Sequence, residues 1–109
     1  VKYSLFIGRF QPPHDGHVAI IKKLLKEGKN VVVGLKKADY TKDNPYGYIE
    51  RVWMLAEKLR GAKGCVKVIF LPDVDEVVYG RKVGYKIRRV KLSKKMEAIS
   101  STKIRRQHG

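Results

Sequence analysis

Apolar residues recur along this chain in two rhythms. Three short runs, YSLFI at 3 to 7, VVVGL at 31 to 35 and VKVIFL at 66 to 71, are rich in aromatic and β-branched types. That is the composition of strands buried on both faces of a parallel sheet. Between the first two runs, Val18, Ile21, Leu24 and Leu25 repeat at helical spacing, and Gly28 follows as a stop signal. Between the second and third, Ile49, Val52, Trp53, Ala56 and Leu59 share one helical face, with Asn44-Pro45 as a start and Gly61 as an end. Strands alternating with amphipathic helices predict an α/β domain, a Rossmann-like parallel sheet flanked by helices and joined by right-handed crossovers.

The last third reads differently. EVVYG (76 to 80) and YKIRRVKL (85 to 92) carry strand composition, but too few residues separate them from their neighbours for a parallel crossover. The pattern predicts a C-terminal hairpin turned by the glycines of GRKVG, then a short helix after ISS. Trp53 and Met54 are expected in the core, while Tyr79 and Tyr85 either stack on a base or cover the hairpin. Residues 1–109 are read as one domain, since a chain of this length buries roughly two thirds of its unfolded surface.

Charge narrows the classes. Lysine and arginine outnumber aspartate and glutamate 25 to 10, a net +15, and between Arg81 and Arg106 eleven basic residues face the single acid Glu97. Such density calls for a polyanionic partner: nucleotide phosphates, a nucleic acid or an anionic surface. Cys65 is the only cysteine, which excludes an intrachain disulfide and reads as a small core residue. Nothing resembles a signal peptide or a membrane span, so cytoplasmic localisation without membrane contact is the expectation.

Candidate chemistry lies in GRFQPPHDGH, residues 8 to 17, at the carboxyl end of the first strand, where open α/β sheets bind ligands. Pro12 and Pro13 stiffen the turn, and Gly16 clears a side chain. The helix starting near His17 offers N–H groups to an anion, and His14 and His17 can donate hydrogen bonds to phosphate oxygens. The Rossmann glycine fingerprint and the P-loop are both missing. A second stretch, AISSTKIRR at 98 to 106, places Ser100, Ser101 and Thr102 as an N-cap and first turn beside Lys103, Arg105 and Arg106, a cradle suited to polyphosphate.

With HxGH at 14 to 17 and ISSTxxR at 99 to 105, the chain resembles the nucleotidylyltransferase superfamily of adenylyl- and cytidylyltransferases. GRFQPPHDGH, with DNPYGYIER at 43 to 51, is especially similar to the archaeal nicotinamide mononucleotide adenylyltransferase form. The resemblance implies that an acceptor phosphate attacks the α-phosphorus of ATP, releasing pyrophosphate, with Mg²⁺ held mainly by the nucleotide phosphates and no metal site of the protein's own. It implies that His14 and His17 are catalytic, with Gly8, Arg9, Phe10, Gly16, Ser100, Ser101, Thr102 and Arg105 at the nucleotide. Lys36, Arg51 and Arg81 are candidates for the acceptor, a mononucleotide or small phosphomonoester.

Departures temper the details. Gln11 stands where cytidylyltransferases carry an acid, Lys95 where they carry an arginine and Ala98 where they carry a glycine, which favours ATP over CTP. The chain is also short of the stretch that usually shapes a nicotinamide mononucleotide pocket before ISSTxxR. The alternatives are a CTP-dependent cytidylyltransferase, a regulatory protein that keeps the nucleotide pocket without turnover, and, in another class, a basic nucleic-acid-binding module, for RKVGYKIRRVKLSKK interleaves basic and aromatic residues. Long nucleic acid is the less expected partner, and homo-oligomerisation stays open.

Overall fold

A computed structural model describes residues 2–38, 40–81, 84–92 and 94–97. Its strands are β1 (Tyr3–Gly8), β2 (Asn30–Lys36) and β3 (Val66–Leu71), and its helices α1 (Asp15–Lys26), α2 (Tyr48–Lys58) and the short α3 (Lys94–Glu97). The three apolar runs pair as a parallel sheet in the order β1-β2-β3, with β2 central. All three strands therefore end on one edge of the domain, and the loops after them meet there.

Register explains the core. Phe6, Val33 and Val68 lie in one row across the sheet, as do Ser4, Val31 and Val66. This face meets Ile21 and Leu24 of α1 and Leu55 of α2, forming the core with Phe10 and Leu35. Tyr3, Leu5 and Ile69 alternate to the other face and are exposed. Only β2 approaches the doubly buried strand that the sequence pattern predicts; β1 and β3 are edge strands, and no described helix covers their second face.

α1 ends as its sequence suggests. Gly28 takes φ +83°, and the amides of Gly28 and Lys29 bond back to the carbonyls of Leu25 and Leu24, the Schellman arrangement. α2 differs from the predicted helix by a rotation of its inner face. Arg51 and Leu55 are buried with Tyr48, Val52 and Leu59 beside them, while Ile49 and Ala56 are exposed and Trp53 is 72% exposed. Trp53 is thus a surface residue and Met54 is half-buried. The cause is polar: carbonyl groups at the strand ends need a donor, and Arg51 turns inward to supply it.

The predicted hairpin is not formed. Residues 76–80 and 85–92 have no strand pairing. Val77, Val78 and Ile87 find no apolar surface to cover and are exposed, and an isolated two-stranded ribbon is marginal at best in water. Cys65 is half-buried, with its Sγ 3.9 Å from the Tyr3 hydroxyl.

Candidate active site

The chain leaves β1 at Gly8 and turns sharply. Phe10 takes φ +51°, in the left-handed region, and its ring folds back over Gly8, where a Cβ would lie 2.9 Å from Phe10 Cε2. Only glycine leaves room for that ring. Phe10 is 2% exposed and packs edge-on to Phe6 at 5.2 Å, so its side chain supports the turn from within. Gln11, also buried, pins the turn to the loop before α2: its amide nitrogen donates to the Tyr46 carbonyl (2.9 Å) and its oxygen accepts from the Tyr46 N–H (3.0 Å).

The two histidines close the amino end of α1. His14 is the N-cap in an extended conformation, and its Nδ1 accepts from the Gly16 N–H at 3.0 Å. His17 Nδ1 accepts from the His14 N–H at 3.1 Å. This is a capping box built from two imidazoles. Both Nδ1 lone pairs are engaged by backbone donors, so each neutral ring carries its proton on Nε2. The rings stack with centroids 3.8 Å apart, and the Phe10 ring lies 4.3 Å from that of His17, tilted by 49°. Burial, with His14 nearby, holds the His17 pKa down at about 3, and burial likewise lowers that of His14 against the pull of Asp15. The site therefore presents neutral N–H donors at a helix N-terminus, a setting that favours an anion. Asp15 points to Lys58 (3.1 Å).

Beside this turn, the carboxyl ends of the strands and the segments after them border an open cleft of about 390 Å³, lined by Arg9, Lys36, Lys37, Ala38, Thr41, Asn44 and Asp73. Arg9 Nη1 donates to Asn44 Oδ1 at 3.1 Å, and Lys36 Nζ lies 3.9 Å from Asp73. Three cations against one carboxylate suit a phosphate group. The structure thus brings Arg9 and Lys36 together and places His14, Gly16 and His17 on the same turn as Arg9. Arg51 does not reach the pocket: it is 2% exposed, with its N–H groups donated to backbone carbonyls. Arg81 is exposed and is not among the pocket's lining. Ser100, Ser101, Thr102 and Arg105 lie outside the described residues.

Sequence reasoning passed over Gln11, Thr41 and Asn44 as functional positions. Its available signal was the polar loop TKDN between two apolar elements, whose side chains cap their own turn: Thr41 Oγ1 accepts from the Asn44 N–H. No group of three His, Cys, Asp or Glu side chains among the described residues could hold a metal ion.

A parallel α/β sheet carrying a helix-capping HxGH and a cationic pocket at its carboxyl edge defines a nucleotide-binding domain of the nucleotidyltransferase kind. Residues 5–69 match the cytidylyltransferase-like family, and the chain belongs to it. Its relatives are adenylyltransferases in name. The nicotinamide-nucleotide adenylyltransferase of Pyrobaculum neutrophilum is 35% identical over 135 residues, 96% of this chain and 75% of the relative. That of Caldivirga maquilingensis is 48% identical over 72 residues, 63% of this chain and 40% of the relative. Among solved structures, a bifunctional NMN adenylyltransferase/ADP ribose pyrophosphatase from Francisella tularensis, complexed with AMP and a manganese ion, is similar with TM-score 0.58 and 33% identity over 66% of this chain and 23% of that one. The Pyrobaculum alignment is longer than this 109-residue chain, so part of that relative has no counterpart here.

Proposed function

We propose that the protein transfers AMP from ATP to a phosphate-bearing acceptor, a mononucleotide or small phosphomonoester. An oxygen of the acceptor phosphate forms a bond to the α-phosphorus, the bond from that phosphorus to the β-bridging oxygen breaks, and pyrophosphate leaves with the electron pair. One observation carries this reading: two imidazoles fixed as Nε2–H donors at a helix N-terminus, on the turn that also supplies Arg9 to a cationic pocket. Neutral donors held in place stabilise the charge of a five-coordinate phosphorus without reorganising. His17, walled by Phe10 and His14, is the donor assigned to the α-phosphate, and His14 reaches its neighbour.

Arg9, which the family resemblance assigns to the nucleotide, shares a pocket with Lys36 and Lys37, and we assign it with them to binding the acceptor phosphate and orienting its oxygen for in-line attack. Ser101, Thr102 and Arg105 complete the triphosphate cradle. The donor set around the site, N–H groups and cations with Asp15 and Asp73 each beside a lysine, fits a divalent cation that arrives on the nucleotide instead of one caged by protein. Mg²⁺ would offset phosphate charge on the leaving group.

The names of the relatives favour ATP over CTP, while the family description keeps a cytidylyltransferase in view. The test is pyrophosphate release with ATP or CTP, Mg²⁺ and a panel of phosphomonoesters including nicotinamide mononucleotide. Release with ATP and one acceptor class is expected. A clear CTP preference would overturn the choice of base, and no release with any pair would overturn the enzyme reading in favour of a binding protein.

A further inference from the structure

Arg51 stands in the first turns of α2 with 2% of its surface exposed, and no carboxylate among the described residues pairs with it. A cation held this deep is costly unless it is compensated. Its Nη1 donates to two carbonyls at once, those of Arg9 and Lys36, each at 2.8 Å, and its Nε donates to the Gly47 carbonyl at 3.2 Å. Arg9 follows β1 and Lys36 is the last residue of β2, yet both line the cationic pocket. The same two walls are joined from the other side by Gln11 on Tyr46 and by the Arg9 side chain on Asn44. Carbonyl dipoles satisfy the guanidinium's hydrogen bonds but leave its charge uncancelled, and desolvation lowers its pKa.

We propose that Arg51 is a positioning residue for anion capture: it fixes the separation of the Arg9 and Lys36 main chains, and its buried charge adds, without contact, to the positive potential that a phosphate meets in the pocket. This deepens the function proposed above, resting on it only for the identity of that anion as the acceptor's phosphate. A lysine replaces the device only in part, because its ammonium can meet the Arg9 and Lys36 carbonyls as Nη1 does but has no Nε–H to hold the Gly47 carbonyl at the same time.

The test follows backbone amide NMR signals of Lys37, Thr41 and Asn44 in the full chain during titration with inorganic phosphate. Saturable shifts are expected for the wild type. Arg51→Met should weaken phosphate binding by about tenfold or more, by comparison with outer-shell partners of other charged sites. Arg51→Lys, which keeps the charge, should fall between, and the His14 and His17 ring signals should stay in place in both. Val31→Ala, at the far end of β2, serves as a control that lowers the melting temperature and leaves phosphate affinity alone. If Arg51→Met proves unfolded, Arg51→Lys carries the comparison. Wild-type phosphate affinity in a folded Arg51 variant would overturn the proposal, as would an equal loss in Val31→Ala or the lack of any saturable shift in the wild type. Phosphate shifts without pyrophosphate release from any nucleotide would instead sink the proposed reaction and leave the anion site standing.

Discussion

Two backbone amides decide what the HxGH imidazoles can do. Because the N–H groups of Gly16 and His14 engage the Nδ1 atoms of His14 and His17, the proton of each neutral ring is placed on Nε2. Long-range ¹H–¹⁵N NMR should show the Nε2–H tautomer in both; Nδ1–H signals would contradict the capping geometry. If His17 meets the α-phosphate chiefly in the transition state, His17→Ala should lower kcat by roughly 10² to 10³ with little change in nucleotide affinity, as for the loss of one oxyanion donor. Ser101→Ala and Arg105→Ala should raise KM for the nucleotide. The histidine also sets a pH dependence of stability. Burial lowers its pKa from 6.5 to about 3, so on acidification the unfolded chain takes up this proton first. Its contribution to stability is complete above pH 6.5 and is lost as the pH falls toward 3. His17→Asn should therefore lose less stability than the wild type across that window in urea unfolding; identical slopes would contradict a buried, neutral His17. That both histidines meet at one turn was legible from two imidazoles flanking a glycine at a strand end. Their tautomers were not, since these depend on a φ/ψ arrangement that no residue type announces.

The strands and the first helix were legible at the scale of elements because local pattern and the burial of one face agree there, although the second-face burial expected of β1 and β3 is not formed. α2 was legible in extent but not in orientation. An apolar-face count assigns Ile49 and Trp53 to the core, yet the interior accepts Arg51, because unpaired carbonyls at the ends of two strands outweigh the burial of a tryptophan. Trp53, the single tryptophan, should thus emit as a solvated indole and be readily quenched by iodide. A blue-shifted, protected emission would place it in an interface or core. The hairpin failed for the complementary reason: strand composition was present without a surface to pack on. Gly28→Ala offers a check on helix ending. With φ +83° and open space around it, the cost is conformational alone, about 1 to 2 kcal/mol in thermal unfolding. Gly8→Ala meets the Phe10 ring and should cost about 1 to 3 kcal/mol.

Over the whole molecule, charge was legible as a demand for polyanions but not as a map. The pocket uses Arg9, Lys36 and Lys37. Arg88 instead reaches the far end of α1, where it pairs with Glu27 at 2.6 Å, and the lysines of α3 are exposed. Binding of a random single-stranded oligonucleotide should accordingly be weak and fall steeply with salt, as charge-driven contacts do; sequence-preferring binding that survives physiological salt would revive the nucleic-acid reading. The central claim is that this small sheet places neutral histidine donors where adenylyl transfer occurs. It is tested most directly by incubating ATP, Mg²⁺ and the acceptor selected in the pyrophosphate screen with wild type and with folded His17→Ala, following the AMP-bearing product and pyrophosphate together. The account predicts equimolar product and pyrophosphate from the wild type, and a collapse of both in the variant at unchanged nucleotide affinity. Equal turnover by the two proteins would contradict it, and the HxGH would then be a helix cap and nothing more.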